Sequence, residues 1–150
     1  SEGTIVIWLR FIGQETSRIR GLWSNHTASD NMLQLFACWP NATDVTLFRR
    51  AGAENEVLTS ATMAVDGEWH QLVWTWDSES RLYIDGSLAA TYSDDAWSDV
   101  ALASDMYLGR EVYNTPAFLN GAFAEFSTFD RALSVREVAS LYRLGEPAGR

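Results

Sequence analysis

Ten short runs of this chain alternate apolar side chains with others at a period of two, each bounded by turn-forming residues, and that periodicity points to half-buried strands rather than helices. The runs are Thr4 to Phe11, Ile19 to Ser24, Met32 to Trp39, Val45 to Arg50, Val57 to Ala64, Trp69 to Trp76, Arg81 to Asp85, Leu88 to Tyr92, Met106 to Arg110 and Ala122 to Phe129. So many short strands suit two packed antiparallel sheets. In the first run Ile5, Ile7, Leu9 and Phe11 share one face while Val6, Trp8 and Arg10 share the other, so this strand is expected to be covered on both sides. Asp85-Gly86, between Ile84 and Ser87, tolerates the positive φ angles of a tight hairpin turn.

One helix interrupts the pattern. Ser134 and Glu137 form a capping box, in which hydroxyl and carboxylate each satisfy a free backbone N–H at a helix start. Val138, Leu141 and Tyr142 follow at helical spacing, and Gly145 and Pro147 stop the run, which predicts a helix over Val135 to Leu144 packed on a sheet. The whole chain, 1–150, reads as one domain with 145–150 as a tail.

Composition narrows the function. A single cysteine, Cys38, rules out an intramolecular disulfide and a multi-cysteine zinc site. Twenty acidic residues against eleven basic ones give a formal charge of -9, which opposes approach to phosphate backbones and anionic lipids, so neither nucleic acid nor membrane insertion is expected. All eleven basic residues are arginine, the mark of a GC-rich genome or a salt-adapted proteome. No apolar run reaches the roughly 18 residues of a membrane span, and residues 1 to 12 lack the order of a signal peptide, so any export signal is expected upstream or already removed.

Four ordered pieces carry a family resemblance: Gly67-Glu68-Trp69-His70-Gln71-Leu72-Val73, then Leu82-Tyr83-Ile84-Asp85-Gly86, then Met106-Tyr107-Leu108-Gly109, then Asn120-Gly121 to Glu125 with Arg131-Ala132-Leu133-Ser134. The stretch from about Thr4 to Leu144 resembles the laminin G-like, concanavalin A-like jelly-roll domains. The resemblance implies an all-β, two-sheet antiparallel jelly-roll β-sandwich with one short C-terminal helix. It also implies a binding module of secreted, cell-surface or virion proteins, often for glycans and sometimes with calcium. Fold analogy supplies no ligand. Two features depart from the family pattern. Ala124 stands where an acidic residue commonly follows Asn-Gly, leaving Glu125 as the only carboxylate on that strand. The Ile-Val-Ile-Trp strand begins at Thr4, so one sheet edge is expected to lack its usual cover and to invite an adjoining domain or a second copy of the chain.

Glycoside hydrolysis needs two carboxylates flanking one bond, and alternate positions on one strand do not supply them here; Glu125 and Asp85 read as structural or solvated. His70 alternates in step with Leu72, Trp74 and Trp76 and reads as a hydrogen-bonded core residue rather than a base. Asn25 and His26 fall in the polar stretch Ser24 to Asn31, read as a loop able to contact a ligand, and Asn25-His26-Thr27 is also a glycosylation sequon. Of seven tryptophans, Trp8, Trp69, Trp74 and Trp76 lie within strong strands and are expected in the core. Trp39, at a strand end, and Trp97, in an acidic loop, are the platform candidates for stacking on sugar C–H faces. Arg110, Tyr113 and Asn114 form a rim after Leu108-Gly109. Asp94, Asp95, Asp99 and Asp105 are the carboxylates that calcium would take, but their spacing matches no EF-hand, and a solvated loop is the preferred reading.

These residues describe a non-catalytic module without a resident cofactor, binding a polysaccharide or glycoprotein glycan. A structural or assembly subunit is the alternative, and a hydrolase stands third.

Overall fold

The computed structural model describes residues 2–12, 20–28, 31–37, 43–51, 54–92, 105–110 and 118–145. They form ten strands and one helix: β1 (Gly3–Phe11), β2 (Arg20–Ala28), β3 (Asn31–Ala37), β4 (Asp44–Ala51), β5 (Glu54–Thr62), β6 (Trp69–Trp76), β7 (Ser80–Ile84), β8 (Ser87–Tyr92), β9 (Met106–Leu108), β10 (Gly121–Phe129) and α1 (Val135–Leu144). The strands pair antiparallel in two five-stranded sheets, β10-β1-β6-β7-β8 and β5-β4-β3-β2-β9: the all-β, two-sheet class that the alternation predicts, consistent with the jelly roll that the resemblance implies. Each sheet lies in its own compact unit, and α1 belongs with the first. No helix among the described residues is long and apolar enough to cross a membrane.

In the first unit β1 is buried on both faces, as its doubly apolar pattern requires: Ile5, Ile7 and Leu9 on one side, Val6 and Trp8 on the other. The second of these faces lies under α1, where Val6, Val73 and Tyr83 pack with Leu133 and Val138, and Phe129 and Leu141 flank them. Trp8 stacks on Tyr142 of the helix, ring centroids 5.6 Å apart and nearly parallel. Ser134 caps α1 through the predicted box, with Glu137 N–H donating to Ser134 Oγ and Ser134 N–H donating to Glu137 Oε2. Thr4 ties the segment before the helix to β1: its hydroxyl donates to Arg131 O and accepts from Leu133 N. The turn after β7 uses Asp85 and Gly86, both at positive φ. A Cβ on Gly86 would stand 2.8 Å from Tyr142 Cβ, so glycine here also permits the helix to approach.

β1 does not lie at an edge. It pairs with β6 on one side and β10 on the other, so among the described strands the edges of this sheet are β10 and β8, and the early start at Thr4 does not leave β1 itself bare. The cover comes from a strand more than a hundred residues later, a pairing that local pattern does not encode.

In the second unit Leu22, Leu33, Leu35 and Leu47 are buried, and Ser24, Gln34 and Thr46 are buried with them. The stretch from Ser24 to Asn31 is not a loop from its start: β2 runs on to Ala28, with His26 opposite Met32 and Asn25 opposite Leu33. Pairing with β3, and with β9 as far as Asn25, overrides the weak strand preference of these polar residues. β9 is shorter than predicted, ending at Leu108; Gly109 then turns at φ 72 and Arg110 forms an isolated bridge with Phe118. Trp8 and Trp74 are core residues as expected, whereas Trp69 and Trp76 are only partly buried.

Candidate functional site

Short β9 at the edge of the second sheet gathers three of the predicted site residues. Its partner β2 sets Ser24 opposite Tyr107 and Asn25 opposite Met106. By strand alternation Ser24 and His26 share a face with Tyr107. The His26 imidazole lies 5.7 Å from the Tyr107 ring, and the Arg110 guanidinium sits over that ring at 5.2 Å. Ser24 Oγ donates to Arg110 O at 3.1 Å, and Gly109 N–H donates to Leu22 O, so the arginine's backbone is fixed to β2. The result is a cluster of guanidinium, phenol and imidazole on a hydrogen-bonded frame.

Two donor-capable atoms in this layer lack partners: Arg110 Nε and His26 Nδ1 are both buried and unbonded. Among the described residues no carboxylate pairs with Arg110. Such a group needs an acceptor, and a sugar hydroxyl or carboxylate supplies one. Asn25, by contrast, is buried, and its Nδ2 donates to Asp105 O at 2.9 Å. It positions the start of β9, and its amide is not presented as a glycan acceptor. Trp23 Nε1 donates to Met106 Sδ at 3.3 Å and holds the same strand from its other face. In the sequence Tyr107 stands within Met106-Tyr107-Leu108-Gly109, and its alternation with Met106 and Leu108, both exposed, is the signal that marks it as facing inward.

Trp39, Trp97, Tyr113 and Asn114 lie outside the described residues, as do Asp94, Asp95 and Asp99. Of the proposed calcium ligands Asp105 alone is described; it is exposed, and its carbonyl is taken by Asn25. Among the described residues no group of three or more His, Cys, Asp or Glu could hold a metal ion. Any fit to calcium therefore rests on the undescribed carboxylates.

In the first unit, His70 is hydrogen-bonded as predicted. Its Nδ1 lies 2.7 Å from Asp85 Oδ2 and its Nε2 3.0 Å from Asp66 Oδ1. Hydrogen bonding to Asp85 raises its pKa to about 9, against the opposing effect of burial, and Asp66 adds to the rise. A histidine held protonated between two carboxylates is poorly suited to act as a base near neutral pH. Asp85 is occupied further, its Oδ1 accepting from Gln71 N at 2.9 Å.

Strand order, sheet count and the closing helix define a jelly-roll domain of the lectin-like class. The chain belongs to the concanavalin A-like lectin/glucanases superfamily, a laminin G-type member of which matches residues 1–139. No curated protein sequence matches it significantly. Among solved structures it is similar to the CBM40 of the Ruminococcus gnavus IT-sialidase bound to α2,3-sialyllactose, at 21% identity and a TM-score of 0.75, covering 94% of this chain and 82% of that one. It is also similar to the binding domain of botulinum neurotoxin DC in complex with rat synaptotagmin II, at 9% identity and a TM-score of 0.75, covering 95% of this chain and 35% of that one. A third structure, from work on cell entry of botulinum neurotoxin type C through two ganglioside molecules, aligns at 10% identity and a TM-score of 0.75, with 95% and 35% coverage. At these identities the likeness is one of fold.

Proposed function

We propose that this chain is a non-catalytic recognition module that binds a glycan at the β2–β9 edge of its second sheet, in an extracellular or surface setting. The observation that carries the reading is the unpaired Arg110 Nε and His26 Nδ1, both beside the Tyr107 ring. A fixed guanidinium whose neighbours leave a donor free favours a sugar with an acidic substituent, because a charged acceptor strengthens the bond. Structures of similar fold in complex with sialyllactose or concerned with gangliosides support that class of ligand. The non-catalytic part of the reading rests on Asp85, whose carboxylate is committed to His70 and Gln71, and on Glu125 being the only carboxylate of β10.

A glycan array carrying sialylated, uronic-acid and neutral glycans tests it. Hits concentrated among acidic glycans, lost in Arg110→Ala, are expected. A blank array would sink the glycan reading and leave the assembly role.

A further inference from the structure

A second cleft opens in the first unit between the helix-covered face of its sheet and the C-terminal end of α1. About 130 Å³ in volume, it is walled by Val6, Phe129, Leu141 and Leu144, with Gln71 and Glu125 supplying polar groups. Gln71 is only 1% exposed, yet its Oε1 and Nε2 are both buried without a hydrogen-bond partner. An unsatisfied carboxamide is a costly thing to bury, and native proteins rarely leave both of its ends unmade. Glu125 is held at φ 51, left-handed backbone that a side chain other than glycine seldom adopts, at the bulge where β10 slips register against β1 between Val6 and Trp8. Strain of this kind persists where the surroundings impose it and is concentrated at functional sites. Gly145 borders the cleft: a Cβ there would stand 2.8 Å from Leu141 O, 3.2 Å from Trp8 Nε1 and 3.3 Å from Glu125 Oε2, so a bare Cα is what fits beside these groups.

We propose that this cleft is a binding site for the vicinal diol of one neutral sugar ring or polyol, gripped by the Gln71 carboxamide and the Glu125 carboxylate. Neighbouring hydroxyls match a carboxamide atom for atom, one donating to Oε1 and the next accepting from Nε2. Glu125 then accepts from a further hydroxyl, the Trp8 indole N–H is the adjacent donor, and the apolar wall faces the C–H side of the ring. The volume equals about four waters at roughly 30 Å³ each, enough for the hydroxylated edge of one ring. This site is independent of the β2–β9 edge and its residues do not overlap with that one.

Nuclear magnetic resonance of the whole chain tests the proposal by following the Gln71 side-chain amide and the Trp8 indole during titration with glucose, galactose, mannose and glycerol. Saturable shifts of both signals with a hexose are expected, and saturation by glycerol alone would support the diol chemistry with a free polyol as its source. Gln71→Leu should weaken binding by about tenfold or more while leaving the melting temperature unchanged or higher, because it removes an unsatisfied polar group without changing shape much. Glu125→Gly relieves the backbone, keeps the fold, and should also weaken binding. Arg110→Ala should leave these titrations unchanged, which separates this site from the glycan edge. No saturable shift with any of the four, or a shift that persists in Gln71→Leu, would overturn the assignment and leave a cleft filled by water.

Discussion

His70 Nδ1 and Asp85 Oδ2 lie 2.7 Å apart, joining the start of β6 to the turn that ends β7. Asp85 also accepts from Gln71 N–H and donates its own N–H to Gln71 O, so the turn, the strand and the imidazole form one hydrogen-bonded knot. Asp66 closes it from the other ring nitrogen and accepts from Glu68 N–H.

Stability should therefore fall on the alkaline side. The folded His70 pKa, about 9, lies above its ordinary 6.5, so its contribution is complete below about pH 6.5 and disappears as pH rises through 9. Asp66 is half exposed, and solvent screening holds the effect to about 1 kcal/mol. Melting temperatures from pH 6 to 10 should drop more in the native chain than in His70→Gln. Parallel curves would refute the linkage. At the acid end, Asp66, held below its ordinary value chiefly by the Glu68 N–H, gives up its share as pH falls through that lowered pKa.

Two glycines at positive φ should respond differently to alanine. Gly67 has open space around its missing Cβ, so Gly67→Ala incurs only backbone strain, about 1 kcal/mol. Gly86→Ala adds a collision with Tyr142 and should lower stability by roughly 2 kcal/mol or more, loosening the Trp8–Tyr142 stack. Urea titration with tryptophan fluorescence reads both, and equal effects would mean that the helix yields freely.

Removing the Ser134 hydroxyl should fray the first turn of α1, since Ser134→Ala costs about 1 kcal/mol where a capping box is intact. Amide exchange at Val138, whose N–H donates to Ser134 O, should quicken before exchange in β6 does.

Single changes Arg110→Ala, Tyr107→Ala and His26→Ala should each weaken the best glycan ligand by about fivefold or more. Arg110→Lys should not restore binding, because an ammonium lacks the planar, multi-donor fork of the guanidinium that sits over Tyr107. Full binding by Arg110→Lys would reduce the arginine to a point charge.

Calcium should shift the melting temperature only slightly, in line with a solvated acidic loop. A large rise at micromolar calcium, reversed by chelator, would put an ion among Asp94, Asp95, Asp99 and Asp105.

Alternation and capping were enough to place every strand and to set α1 at Val135–Leu144, because both signals are local. What local pattern missed depended on partners far along the chain. Asn25 and His26 look like loop residues until Met106 and Met32 pair with them. Gln71 alternates innocently between His70 and Leu72, and nothing in that pattern marks its amide as a buried, unsatisfied group. The bulge at Glu125 leaves no mark in composition, since glutamate is not a residue that announces left-handed backbone.

The Thr4 hydroxyl bonds across 127 residues to Arg131 O, and β1 is paired on one side by β10. During synthesis the nascent β1 can dock on β6 once residue 76 has left the ribosome, but its other flank waits for residues 121–129, with Leu133 and the helix later still. Long-range closure of this kind is slow, and an apolar strand with one open flank is a target for chaperones during that delay. Ribosome-bound chains arrested before and after β10 should differ in protease resistance across β1, the later arrest being the protected one.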